Sequence, residues 1–431
     1  MSLQKIFFGP PGCGKSFRVR KVAIDDLKIA KIPDDLKKSQ DMIETAFHPE
    51  YGYGDFVAKL MPLTKDRHIE YHIHAGPLIK ALARSYAYPD REVLLVIDEI
   101  NRGNCAQIFG DIFQLLDRDH EGWSEYGIDT SDLINDALNQ ELNRVISEPK
   151  YLDAKLEVTE NKICKLRLPP NLNIIGTMNT SDESVYYMDT AFKRRWEFEF
   201  MAWDSTKTDS PNKLESAECK QTNATVQGTT HTWYEFLMEL NAFIAAKSNK
   251  QNVDDKQVGV WFLKASDNRD ALRQYQAELK KLSANACNDI SKDAWKKCFP
   301  KAKDNTGTNL AKSIKPINYE PIKFHLKNTF NVELSSEFFE GIGVSQFSAN
   351  LITHLDSIST PQVIISSDIK NKLLFFLWDN VFSRNRAPLA KLLGKNENEL
   401  RTFGEFSSED NVTAFIKGLM EWSDKEESQS T

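Results

Sequence analysis

The run Gly9-Pro10-Pro11-Gly12-Cys13-Gly14-Lys15-Ser16 fits the pattern G-x-x-x-x-G-K-[ST]. Those residue types suit a bound phosphate. Glycines let backbone N–H groups turn inward, and a helix opening just after the loop favours negative charge. On this reading Gly9 through Phe17 line a nucleotide, Lys15 reaches the β- and γ-phosphates, and the Ser16 hydroxyl ligates Mg²⁺. Cys13 holds a permissive loop position and is assigned no chemistry. A second group of residues, Val93-Leu94-Leu95-Val96-Ile97-Asp98-Glu99, is an apolar run ending in two carboxylates. Such runs are common by themselves. Beside a phosphate loop, Asp98 can hold Mg²⁺ largely through water, and Glu99 can orient or deprotonate an attacking water. A third run ends in Gly176-Thr177-Met178-Asn179, where the Asn179 amide can position water against the γ-phosphate. Finally, Lys193-Arg194-Arg195 close a short helix begun after Asp189. They read either as a solvated basic face or as an arginine donated to a neighbouring subunit's nucleotide.

These groups need elements that bring them to one place. Residues 3–8 form an apolar run feeding the glycine loop, and a loosely helical pattern follows from Ser16 to Lys28, closed by Pro33. Further strands are expected at Met42–Phe47, Glu92–Ile97, Leu172–Thr177 and Glu197–Met201, with helices at about 76–88 and 104–117 between them. Strand–helix alternation of this kind implies an α/β fold, a parallel sheet with helices on both sides. Adjacent parallel strands bring their C-terminal ends to one edge, which would set Asn179 beside Glu99.

Two stretches read as inserted. In residues 118–165, Ile134, Leu138, Leu142 and Val145 have helix spacing, ended by Pro149. Residues 204–230 are polar and rich in Ser and Thr, and read as a linker or mobile loop. From residue 231 to about 423 the pattern turns mostly helical, at 233–248, 268–283, 335–355 and 369–382, and the tail 424–431 reads as disordered. The first domain accordingly covers residues 1–203. Aromatics at 233–240 and 375–378 fit core packing better than base stacking.

The chain has 431 residues, 41% hydrophobic and 27% charged, which excludes global disorder and leaves room for two or three domains. Its net charge of −7 argues against coating nucleic acid by bulk charge. No window approaches a spanning helix, and no membrane partner is expected. Six scattered cysteines without a C-x-x-C pair read as reduced thiols in a cytoplasmic protein. His68, His72 and His74 lack a suitably spaced fourth ligand for zinc, and alternation around them fits an exposed hairpin that could line a ring pore. Glu160-Asn161-Lys162 and Asp368-Ile369-Lys370 match a nuclease triplet only formally, so no nuclease activity is expected in this chain.

The run Ile97-Asp98-Glu99-Ile100-Asn101-Arg102-Gly103-Asn104, with Ile108-Phe109-Gly110-Asp111, resembles the signature of McrB-like AAA+ proteins, the NTPase subunits of modification-dependent restriction systems. Phe47 to Val57 is similar to that family's second-strand block, and Pro170 to Thr180 to its sensor block. Residues 254–259 and 372–379 match its lid more loosely. The resemblance implies an AAA+ domain with a five-stranded parallel sheet and a helical lid. It also implies a homo-oligomeric ring, usually a hexamer, and a separate McrC-like nuclease subunit that acts with it on DNA. GTP is the substrate in the founding system and ATP in the broader clade. Carried over by motif, Lys15 and Ser16 hold phosphate and Mg²⁺, and Asp98 and Glu99 serve metal and water. Asn179 and Asp182 support the water, while Arg194 and Arg195 act across the interface. Ser181 stands where the family usually has Ala, and Phe192-Lys193 where it often has Leu-Arg. Eight residues precede the loop, so the DNA-reading domain of the founding members is not expected. Recognition would fall to a partner, the insertions or the lid. A remodelling ring like those of the MoxR- and dynein-related proteins, acting on a protein, is the alternative.

Overall fold

The computed structural model describes residues 2–65, 68–145, 158–159, 162–179, 186–204, 221–248, 253–267 and 362–422. Two compact units emerge. One comprises Met1–Thr206 with Asn252–Gly259, the other Lys207–Gln251 with Val260–Thr431.

The first unit is built on a five-stranded sheet: β1 Gln4–Gly9, β2 Met42–Ala46, β3 Val93–Asp98, β4 Leu172–Asn179 and β5 Glu197–Phe200. The strand order is β5-β1-β4-β3-β2, and every pairing is parallel. The apolar run of β3 is continuous because both of its faces are covered. Val93, Leu95 and Ile97 of β3 enter one core with Ile6, Leu172 and Ile174, while Leu94 and Val96 enter another with Phe7 and Ile175. Each such fully buried side chain contributes roughly 2 kcal/mol of burial.

Helix α1, Lys15–Lys21, follows the glycine loop and widens into a turn over Val22–Asp26, closed by the Leu27 N–H on the Val22 carbonyl at 3.0 Å. α2 is Pro77–Ala87. The continuous helix expected over 104–117 is instead two pieces. α3, Cys105–Phe109, is capped by the Asn104 side chain, and a tighter 3₁₀ segment runs from Gly110 to Leu116. The break falls at Gly110, whose φ is +50°.

The insertion after residue 117 carries α4, Asp132–Val145, and buries Ile134, Leu138 and Leu142 in the same core as the sheet. Its root is Arg118. That guanidinium donates to the carbonyls of Gly122, Leu168, Pro169 and Leu172 at 3.0–3.1 Å, and burial pulls its pKa down to about 10. Residues Ala58–Lys65 and His68–Ala75 form an antiparallel hairpin whose Leu60, Ile69 and Tyr71 stand exposed.

In the second unit, helix α5, Trp233–Lys247, begins with a reciprocal cap between Thr232 and Glu235. Its Trp233 and Phe236 are fully buried and stacked at 5.5 Å, as core packing. Residues 369–381 are helical, through two wide turns. The polar linker expected to reach residue 230 is not one over 221–230. Thr225–Val226 pairs with Gln362–Ile364, and the buried Gln221 amide donates to the carbonyls of Val260 at 3.0 Å and Leu263 at 2.7 Å. A polar residue whose hydrogen bonds are all met inside the fold looks like loop by composition alone. Residues 253–259, expected in the lid, belong to the first unit. The expected helices at 268–283 and 335–355, Pro149, the linker's first part and the tail lie outside the described residues.

A candidate nucleotide site at the sheet edge

The loop between β1 and α1 takes a shape that needs glycine. Gly12 and Gly14 have φ of +78° and +95°, left-handed conformations that other residues adopt only at a cost. Alternation of such residues with ordinary ones turns successive N–H groups toward one concavity, a form that binds anions. The Lys15 ammonium lies at this loop, 3.0 Å from each of the Gly9 and Pro10 carbonyls and 3.8 Å from Cys13 Sγ. Cys13 is buried, and burial pushes its thiol pKa up against the opposing pull of Lys15. Ser16 and Phe17 are exposed in the first turn of α1.

The carboxylates arrive from β3, and β4 lies between that strand and the loop. Register sets Asn179 level with Gly9 on one side and Gly176 level with Ile97 on the other. Thr177 Oγ1 donates to Asp98 Oδ1 and accepts the Glu99 backbone N–H at 3.3 Å. Glu99 has φ +52° and ψ +45°, a left-handed conformation worth roughly 1 kcal/mol of strain in a residue with a side chain. The surrounding bonds hold it there. Asn179 Nδ2 donates to Glu99 Oε1, and Arg102 Nε lies 3.3 Å from Glu99 Oε2. The buried Asn101 amide in turn donates to the Asn179 carbonyl at 2.8 Å.

Thr177, Asn101 and Arg102 thus join the site, although the spacing of chemical types did not single them out. The signal for Thr177 was register. It sits two residues before Asn179 on the same face of a parallel strand, beside the end of β3. Asp182 lies outside the described residues.

The two arginines part company. Asp189 caps the short helix Thr190–Lys193 by accepting the Phe192 N–H at 2.6 Å. Arg195 then turns inward. Its side chain is 7% exposed, with Nη2 2.6 Å from Asp117 Oδ2 and the guanidinium 3.9 Å over the Phe113 ring. Nη1 donates to the Ala191 carbonyl at 2.8 Å. Both arginines are expected at a subunit interface; in this structure the Arg195 guanidinium is engaged within its own chain, by Asp117 and the Ala191 carbonyl. Arg194 remains exposed.

No protein-family model matches the chain. Over 286 residues it is 30% identical to the Type II restriction enzyme BsuMI component YdiS of Bacillus subtilis (strain 168), covering 61% of this chain and 73% of that one. The chain belongs to the McrB-like AAA+ NTPases. A second relative of this McrB-like protein is the Type IV methyl-directed restriction enzyme EcoKMcrB subunit of Escherichia coli (strain K12). Identity there is 28% over 195 residues, 45% of this chain and 34% of the relative, so the match spans about a third of that subunit. A crystal structure from Cytophaga hutchinsonii, described as that of a candidate ATPase, aligns at 13% identity over 81% of this chain and 84% of its own. Its TM-score of 0.22 lends no weight to the assignment. Among the described residues, no helix is long and apolar enough to cross a membrane.

Proposed function

We propose that this McrB-like NTPase hydrolyses GTP or ATP with Mg²⁺ and that turnover drives a separate McrC-like nuclease subunit on DNA, in a restriction or defence complex. The observation that carries the reading is the meeting of the glycine loop, Asp98, Glu99 and Asn179 at one sheet edge, with Glu99 held in a strained conformation between two polar partners. Restriction components among its relatives support the partner.

The residues present suit a metal–nucleotide pair, since a hydroxyl at the start of α1 and a carboxylate at the end of β3 offer hard oxygen ligands. When bound, Mg²⁺ supplies positive charge to the β- and γ-phosphate oxygens. Ser16 and Asp98 would hold it, with Thr177 fixing the rotation of the Asp98 carboxylate. Lys15 would exchange its loop carbonyls for phosphate oxygens, and the N–H groups from Gly12 onward would cradle the remainder. Glu99, oriented by Asn179 and Arg102, would align the attacking water and accept its proton. Arg194 would reach a neighbouring copy's nucleotide in a ring, hexameric by family resemblance. Arg195 would serve from behind, tying the helix that carries Arg194 to Asp117.

The test is steady-state hydrolysis of GTP and ATP by the purified chain, with Glu99→Gln as the blank, with and without the neighbouring gene's product. Turnover that rises with a nuclease partner is the expected result. ATP-only turnover indifferent to any nuclease would instead favour a ring that remodels a protein.

A further inference from the structure

The stretch 253–259 carries a feature that none of the nucleotide motifs explains. It opens with the short helix Val253–Lys256, passes through the fully buried Val258, and reaches Gly259 against the phosphate loop. The Gly259 N–H donates to the Pro11 carbonyl at 3.0 Å. A Cβ at Gly259 would lie 2.2 Å from the Gly12 carbonyl carbon and 2.3 Å from both the Gly12 oxygen and the Cys13 nitrogen. Contacts that short with backbone cannot be relieved by turning a side chain. Gly259 has no left-handed φ, so the demand for glycine is one of space alone.

We propose that Gly259 is a positioning residue for nucleotide binding: its backbone seats the phosphate loop and sets which way the loop's amides point. The physical link is the planarity of the peptide. In the trans Pro11–Gly12 unit the carbonyl and the N–H point in opposite directions. With the carbonyl held by Gly259, the Gly12 N–H is turned to the other side. The next peptide, Gly12–Cys13, is the one a methyl group would strike. Its N–H closes the loop's turn on the Pro10 carbonyl at 3.4 Å, so its rotation would open that turn and shift the amides that follow it. The loop's other end is held independently, by the Met201 N–H on the Phe8 carbonyl at 2.8 Å. Gly259 therefore acts on the phosphate-facing segment without bearing on β1.

This inference rests on reading the loop as a nucleotide site, and the experiment separates the two. Binding of fluorescent ATP and GTP analogues, and their displacement by inorganic tripolyphosphate, would be measured for the full chain and for Gly259→Ala. Gly404→Ala is the control, because its Cβ would find nothing nearer than 3.9 Å. The expected result is a Kd for nucleotide and for tripolyphosphate raised roughly ten-fold or more, as for a lost hydrogen bond to a charged group. The nucleotide-free melting temperature should fall by only about 2–4 °C below that of Gly404→Ala, the cost of a local loop displacement. A Kd within two-fold of wild type would overturn the inference while leaving the nucleotide site intact. Absence of binding by wild type would overturn both. Should Gly259→Ala fail to fold, amide exchange on the wild-type chain decides: residues 253–259 should gain protection when nucleotide binds, and unchanged protection would sink the proposal.

Discussion

Asp98–Glu99 and Arg194–Arg195 are both adjacent pairs of like charge at the end of an element, yet the fold treats them differently. Both carboxylates stay at the sheet edge, one accepting from Thr177 and the other from Asn179. Of the arginines, one is drawn inward to Asp117 and Phe113, and its neighbour is left exposed. The carboxylates can share an edge because Glu99 takes a left-handed conformation that departs from the strand, and its side chain meets Asn179 at the end of β4. The arginines follow a helix, where successive side chains point about 100° apart and cannot face the same way. Adjacent residues therefore share a task only where the backbone is bent to permit it.

That contrast can be broken experimentally. The largest effect is expected from Arg194→Ala, with turnover down by about 10³ and the melting temperature unchanged, if it serves as an interface arginine. Mixing Arg194→Ala with Lys15→Ala chains should restore part of the activity, because each then supplies what the other lacks. No recovery would mean that Arg194 does not act between subunits. Glu99→Gln should lower turnover by about 10² or more and leave binding of a fluorescent nucleotide analogue intact. Normal turnover there would remove Glu99 from the chemistry.

Arg195→Ala should act mainly on stability, by about 2 kcal/mol in chemical denaturation of the nucleotide-free protein, because it leaves Asp117 without its partner. A stable variant with activity as low as Arg194→Ala would exchange the two roles. The smallest effect is expected from Thr177→Val, about five-fold in turnover with a raised Mg²⁺ requirement, since Asp98 would lose one orienting hydroxyl. An unchanged Mg²⁺ titration would show that Thr177 is only packing.

Much of the sheet was legible because its signal is local. The strand Val93–Asp98 holds five consecutive apolar residues and β1 holds Ile6-Phe7-Phe8, and the Asp-Glu pair and the glycine loop sit at the ends of these two runs. Less legible were positions whose role depends on register or on distant chain. Thr177 gains meaning only once β4 is seated between β1 and β3. Gln221 reads as polar loop until the Val260 and Leu263 carbonyls are seen to take its amide. The helix expected over 104–117 missed its break because Gly110 is a common helix interruption whose effect depends on what packs around it. In the family block, Asn101 had a pattern but no visible reason until its amide was found on the Asn179 carbonyl.

The sequence by itself determined the chemistry that this protein can attempt: a phosphate loop, two carboxylates, a water-positioning amide and a basic helix end, each a short run whose residue types have few other uses together. Only the tertiary structure decided which of them face one another, which arginine is spent within the chain, and that Gly259, some 250 residues beyond the loop, lies against it. The reason is physical. Residue type fixes what a side chain can donate or accept, whereas its orientation follows from strand register, helix phase and close backbone approach, none of which is encoded within a single local run.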